Sequence, residues 1–242
     1  MNYLIGNYQS SIVAADFNGD GFIDLAVTGI QANELDILQG NGDGTFTLAQ
    51  SYPAGSDPQS LAAGDFNGDG KVDLAVANQG SANASIFLGN GDLSFAGPVN
   101  YAAGTNPYSI AIGDFNRDGK SDLAVADATA SSNVSILLGN GNGTFAAAVA
   151  YTAGNTPRSV AIGDFNGDGK SDLAVGNANS DDVSILVGNG NGTFASAVNY
   201  TDGSSQPFAV VVGDFNGDGK SDLAAANANS NNISIFVVVD SP

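Results

Sequence analysis

Apolar and polar residues alternate in short runs along this chain, and the runs recur. In one unit, Ile110 and Ile112 alternate within Ser109–Phe115, which predicts a short strand. Leu123–Ala126 is a second apolar run, and polar Asp127–Asn133 predicts a turn. Val134, Ile136 and Leu138 share one face of a third predicted strand. The Gly/Asn-rich stretch Gly139–Phe145 predicts a hairpin turn, and Ala146–Tyr151 a weaker fourth strand. Ala153–Pro157 then connects to the next unit. No helical periodicity of useful length occurs anywhere.

The unit repeats. The stretch D-F-N-G-D-G-K-S-D at Asp164–Asp172 has relatives beginning at Asp16, Asp65, Asp114 and Asp214, at steps of 49, 49, 50 and 50 residues. Four antiparallel strands at such a period predict a β-propeller blade. The fold expected is therefore all-β: one domain over residues 1–242, a five-bladed propeller with four-stranded antiparallel blades. The ends sharpen that expectation. The fifth unit reaches its third strand at Ile233–Val237 and stops, while the lead-in Asn2–Gly6 (N-Y-L-I-G) resembles Asn100–Gly104 (N-Y-A-A-G), the end of a unit. Asn2–Ile5 would then supply the missing fourth strand and close the ring.

Composition narrows the partners. The charged fraction is 13% and the hydrophobic fraction 43%, which suits a packed core. The formal charge is −19, and 15 of the 25 acids are the first, fifth and ninth residues of the five loops. Six Lys and Arg residues form no basic patch for nucleic acid. No apolar run reaches the length of a membrane span, so no membrane insertion is expected. There is no Cys for a disulfide or thiolate site. Met1–Ser10 has neither the basic start nor the apolar core of a secretory signal, so an extracellular protein would have lost its signal beforehand.

The loops carry the chemistry. Calcium takes six to eight oxygens in flexible geometry, and each loop offers oxygens at alternating positions. The side-chain ligands expected are Asp16, Asn18, Asp20 and Asp24; Asp65, Asn67, Asp69 and Asp73; Asp114, Asn116, Asp118 and Asp122; Asp164, Asn166, Asp168 and Asp172; and Asp214, Asn216, Asp218 and Asp222. The seventh residue, Phe22, Lys71, Lys120, Lys170 or Lys220, would contribute its backbone carbonyl, leaving the Lys side chain free to point to water. Gly at the sixth position permits the sharp turn. Hard oxygens without His or Cys favour Ca²⁺ over transition metals, up to five ions in all. The pattern is not an EF-hand: the twelfth position holds Val27, Val76, Val125, Val175 or Ala225 where that motif has Glu. Arg117 replaces the fourth-position Gly in the third loop. An alternative use of these Asp and Asn residues is simple Asx-turns.

With loops, G-N-G-T-F turns and a four-strand period together, the chain resembles the FG-GAP/VCBS repeat family, whose best-known member is the integrin α-subunit propeller. The resemblance spans nearly the whole chain. It implies a propeller with calcium in the hairpin between the first two strands of each blade. The departure is the blade count, five here where such propellers commonly have seven. Near-identical copies such as Asp164–Ala174 and Asp214–Ala224 fit recent duplication or an engineered repeat chain.

In a propeller the acidic hairpins and G-N-G-T-F turns share one face. The opposite face gathers the inter-blade connections, where the units differ most: Gln59, Tyr108, Arg158 and Phe208 follow the connecting Pro, with Ser10 in the first unit. The turns facing them carry Glu34, Asn78, Asp127, Asp181, Asp182 and Asn231. Such mixed residues on rigid turns predict a ligand face. The function expected is a non-enzymatic, extracellular or cell-surface binding or adhesion module for a glycan or protein, monomeric, since some relatives of the family act as lectins. A pure scaffold or designed minimal propeller is the alternative. A polysaccharide lyase or hydrolase finds less support, because the commonest bases and nucleophiles, His and Cys, are missing.

Overall fold

The computed structural model of the chain describes Tyr3, Ile5 and residues 8–129, 132–201 and 203–238. These form five antiparallel sheets and no helix. The first holds β1 (Gln9–Ala15), β2 (Asp24–Gly29), β3 (Glu34–Gly40) and β4 (Phe46–Pro53). The second holds β5 (Pro58–Gly64), β6 (Asp73–Asn78), β7 (Asn83–Phe87) and β8 (Val99–Ala102). The third holds β9 (Pro107–Gly113), β10 (Asp122–Asp127), β11 (Asn133–Leu137) and β12 (Val149–Thr152). The fourth holds β13 (Pro157–Gly163), β14 (Asp172–Asn177), β15 (Asp182–Leu186) and β16 (Val198–Tyr200). The fifth has three strands: β17 (Pro207–Gly213), β18 (Asp222–Asn227) and β19 (Asn232–Phe236). The fold is thus propeller-like.

The sequence accounts for how the sheets stack. The second strand of each unit reads D-L-A-V-A or close to it, and successive side chains point to opposite faces. Leu123 and Val125 pack with Ala75, Ala77 and Ile86 of the preceding sheet. Ala124 and Ala126 pack with Leu173, Val175 and Leu186 of the following one. Large residues of one sheet therefore meet small residues of its neighbour, and the interface closes tightly. The Phe of the acidic loop meets the Phe of the next unit's turn: Phe17 with Phe95, Phe66 with Phe145 and Phe115 with Phe194, all edge-on at 5.4–5.7 Å. Phe165 and Phe215 have no such successor, and Phe215 is 49% exposed.

First strands pack in series, β1 on β5, β5 on β9, β9 on β13 and β13 on β17. Each junction carries a hydroxyl bond. Ser11, Ser60, Ser109 and Ser159 Oγ accept from the N–H of Leu61, Ile110, Val160 and Val210, at 3.0–3.3 Å. Among the described residues no comparable packing joins β17 to β1, so the predicted closure is not part of the packing seen. The predicted closing strand, Asn2–Ile5, lies partly outside the described residues, and Tyr3 and Ile5 carry no strand. Even so, the Tyr3 ring meets Phe46 edge-on at 6.0 Å, and its hydroxyl accepts from Phe46 N–H at 3.0 Å. Tyr52 of β4 holds Phe95 of the next sheet in the same way, at 5.9 Å and 2.9 Å.

Candidate functional site

Each acidic loop joins the first two strands of a sheet. In the fourth, Asp164 Oδ1 accepts from Gly167 N–H at 2.8 Å and Oδ2 from Gly169 N–H at 2.8 Å. Asn166 Oδ1 accepts from Asp168 N–H at 2.9 Å, and Asp168 Oδ1 from Lys170 N–H at 3.0 Å. The first, third and fifth residues thus form overlapping Asx-type turns. Asp16 and Asp214 sit in the same way, and the N–H of Gly21 and of Gly219 holds each carboxyl below the usual carboxylate range. Gly169, at φ 76°, supplies the left-handed bend the chain requires. Arg117 takes φ 62° at a position where the other loops have Gly.

The ninth residue behaves differently. Asp24, Asp73, Asp122, Asp172 and Asp222 are fully buried. One oxygen accepts from the N–H of the loop's second residue: Phe17, Phe66, Phe115, Phe165 or Phe215, at 2.8–3.0 Å. The other accepts from the end of the third strand: Gly40, Gly89, Gly139, Gly188 or Val238, at 2.7–2.9 Å. Burial pushes the carboxyls of Asp73, Asp122 and Asp172 up, and the first and fifth acids of the same loop add to it.

The seventh-position Lys side chains of three loops are part exposed to water, yet they turn back toward the loop. Lys120 and Lys170 Nζ fold back to the fifth-position carboxylates of Asp118 and Asp168, at 3.1 and 2.8 Å, and Lys71 approaches Asp69 at 3.8 Å. Those bonds hold Asp118 and Asp168 low. The Lys stems lie across Gly91, Gly141 and Gly190 of the adjacent turn, as the Phe22 ring does across Gly42. These four glycines hold φ of 72–77°, the left-handed bend that explains Gly at the end of G-N-G.

Among the described residues no three acids already converge as a metal cage. The residues still fit a hard cation. Each loop carries three carboxylates and an amide oxygen within nine residues, and a carboxylate has about four lone-pair sites, of which backbone N–H groups use only part. The second, third and fourth loops draw a positive group onto themselves in the form of their own Lys ammonium.

At the other end of the inner strands, three of the four predicted ligand residues come together. The Arg158 guanidinium carbon lies 4.7 Å from the Tyr108 ring centre and 4.9 Å from that of Phe208. The two rings meet edge-on at 6.1 Å although they belong to sheets two apart. Gln59 stays out of this group and donates to Gln79 Oε1 at 2.8 Å. Four of the six turn residues are occupied structurally. Asn78 is buried and bonded to Asn83 and Ser85, and Asp127 accepts from the N–H of Thr105 and Asn106. Asp181 accepts from Gln206 N–H, and Asp182 from Asn177 and Ser180. The junction serines were missed by sequence reasoning, although their recurrence one residue before Ile12, Leu61, Ile110 and Val160 was a visible signal.

No curated protein matches the chain significantly. Solved structures do match its fold. BBS1N, solved in complex with ARL6DN, is 18% identical with a TM-score of 0.62, covering 97% of this chain and 70% of that one. An Agrocybe aegerita lectin, described as recognising non-reducing terminal N-acetylglucosamine, is 20% identical with a TM-score of 0.59, covering 94% and 65%. A putative 6-phosphogluconolactonase from Bacteroides fragilis is 17% identical with a TM-score of 0.63, covering 83% and 56%. At these identities the likeness is one of fold. The repeated loops speak more directly. The FG-GAP-like repeat matches residues 16–76, 65–125, 114–175 and 164–225, each match running from one acidic loop through the second strand after the next. The chain therefore belongs to the family of FG-GAP-like repeat proteins.

Proposed function

We propose that this protein is a calcium-stabilised, non-catalytic extracellular binding module that recognises a glycan or a protein, with one calcium per acidic loop. The observation that carries the reading is the division of labour between the two ends of the inner strands. One end holds five copies of an oxygen-rich loop; the other gathers Tyr108, Arg158 and Phe208, which differ from unit to unit. Residues shared by all units serve the scaffold, and residues peculiar to each form the ligand face. The likeness to the Agrocybe aegerita lectin agrees with a glycan ligand. The loop oxygens named above would hold the ion, which supplies charge neutralisation and ties the first two strands together. The same proposal has the five blades close into a ring, with the lead-in as the fourth strand of the last. The Tyr3–Phe46 contact, a copy of the Tyr52–Phe95 contact between blades, supports this. A screen of glycans and matrix proteins, in calcium and after its removal, tests the reading. Calcium-dependent binding that weakens in Tyr108→Ala is expected; no binder in either condition would overturn it.

A further inference from the structure

Five of the six cationic side chains, Lys71, Arg117, Lys120, Lys170 and Lys220, lie in the acidic loops. The sixth, Arg158, stands at the opposite end of the strands. No carboxylate of the described residues comes within 4.0 Å of it, in a chain of net charge −19. Its Nε is buried and has no hydrogen-bond partner. The acids of the neighbouring turns, Asp127, Asp181 and Asp182, are bonded instead to the turns and connections beside them. Two rings hold the guanidinium between them and replace part of its water. An ion in that position gains from a carboxylate, which matches the fork of guanidinium N–H donors in plane.

We propose that the Tyr108–Arg158–Phe208 cluster binds the carboxylate of an acidic sugar residue, a uronic acid on an otherwise uncharged saccharide. The proposal rests on the binding-module reading and names its ligand class. Charge sets the limit. With one cation on this face and a strongly negative protein behind it, a single negative charge is attracted while a polyanion is repelled. The flanking groups set the rest. Phe208 is 40% exposed, which gives the apolar side of a sugar ring a surface to lie against, and the Tyr108 ring meets it edge-on.

The test is a titration of the whole, calcium-loaded chain with methyl glucuronide and methyl galacturonide, each beside its neutral methyl ester and the corresponding neutral glycoside. N-acetyl-aspartate N-methylamide supplies the same carboxylate from a peptide source. The acids are expected to bind and their esters to bind about tenfold more weakly or worse. Arg158→Gln should lose acid binding by a similar factor, and Arg158→Lys should recover part of it. An unchanged melting temperature shows that these variants fold. Esters binding as well as acids, or Arg158→Gln binding acids normally, overturns the proposal. So does an absence of acid binding, or a preference for the aspartate probe. Neutral glycans bound equally by the wild type and Arg158→Gln would remove the acidic-sugar site while leaving the binding-module reading in place. Failure of every glycan and protein to bind removes both.

Discussion

At the scale of single residues, the backbone of the acidic loop decides more than its charges. Arg117 holds a left-handed conformation that costs a non-Gly residue roughly 1–2 kcal/mol. Gly at that position gives back part of the gain through the freedom of the unfolded chain. Arg117→Gly should therefore raise stability by about 0.5–1 kcal/mol, read as a higher denaturant midpoint. A lower midpoint would mean that the Arg117 side chain, which reaches toward Gly190 of the next blade, contributes more than its backbone costs. Asp122 sits at the other extreme. Both its oxygens accept buried N–H bonds, so Asp122→Asn turns an amide donor toward one of them and should cost about 1–3 kcal/mol. The spacing of the acids was legible in the sequence. What was not legible is that the ninth acid clamps the loop to the end of the third strand, because its partners Phe115 and Gly139 lie seven and seventeen residues away on opposite sides. The sign of a pH effect follows from the same group. The folded carboxyls of Asp73, Asp122 and Asp172 lie above the ordinary value of 3.8. In calcium-free protein they bind protons more readily folded than unfolded, so their contribution to stability falls as pH rises through the window just above 3.8. Calcium at the proposed sites would need them ionised and would reverse the preference. The gain in melting temperature on adding calcium should thus shrink as pH is lowered from 7 toward 4.5. A gain independent of pH would remove these three acids from the metal sites.

At the scale of elements, the strands were legible because their period is 2, and the limits shifted by only one or two residues at most ends. The fourth strand was the exception. Predicted over Ala146–Tyr151, it forms over Val149–Thr152, since Phe145 is held by an isolated bridge to Gly139 and residues 146–148 carry no strand. The interfaces between sheets were less legible than the sheets. Alternation shows that a side chain faces outward from its strand, yet it does not show that Leu123 will meet an Ala of the neighbouring sheet. Nor does it reveal a Ser hydroxyl reaching a backbone N–H about fifty residues on. These contacts are testable. Ser109→Ala removes the acceptor of Val160 N–H and should cost about 1 kcal/mol, with the calcium response unchanged. Ala124→Leu enlarges a fully buried residue packed among Leu173 and Val175 and should cost about 1–3 kcal/mol. If either variant melted with the wild type, the junction would be looser than its geometry indicates.

At the scale of the whole molecule, the two end faces pose the largest physical problem. Ile12 is 60% exposed on the first blade, and Val211, Ile233 and Ile235 are 58%, 71% and 48% exposed on the fifth. The counterparts of Ile233 in the other blades, Leu35, Ala84, Val134 and Val183, are at most 2% exposed. Apolar area of this kind left in water is unfavourable by roughly 25 cal/mol per Å², so a cover for it is favoured. The proposed ring supplies the cover from within, the fifth blade turning onto the first beside the lead-in. The residue types at the junction make the idea measurable. In the inner junctions a Ser hydroxyl accepts from the next blade, but the fifth blade has Ala209 at that position, so a fifth junction would lack the bond. If the ring closes, Ile233→Ser removes a buried side chain and should cost about 2–4 kcal/mol, and Ala209→Ser should restore the missing acceptor for Ile12 N–H, a gain of about 1 kcal/mol. If the arc stays open, both changes fall on exposed positions and stay within about 0.5 kcal/mol. Sedimentation completes the test. A monomer in which Ile233→Ser is costly means the chain covers its own ends. A dimer or larger species with the same cost means that a second copy covers them, and the five-bladed ring would then be wrong.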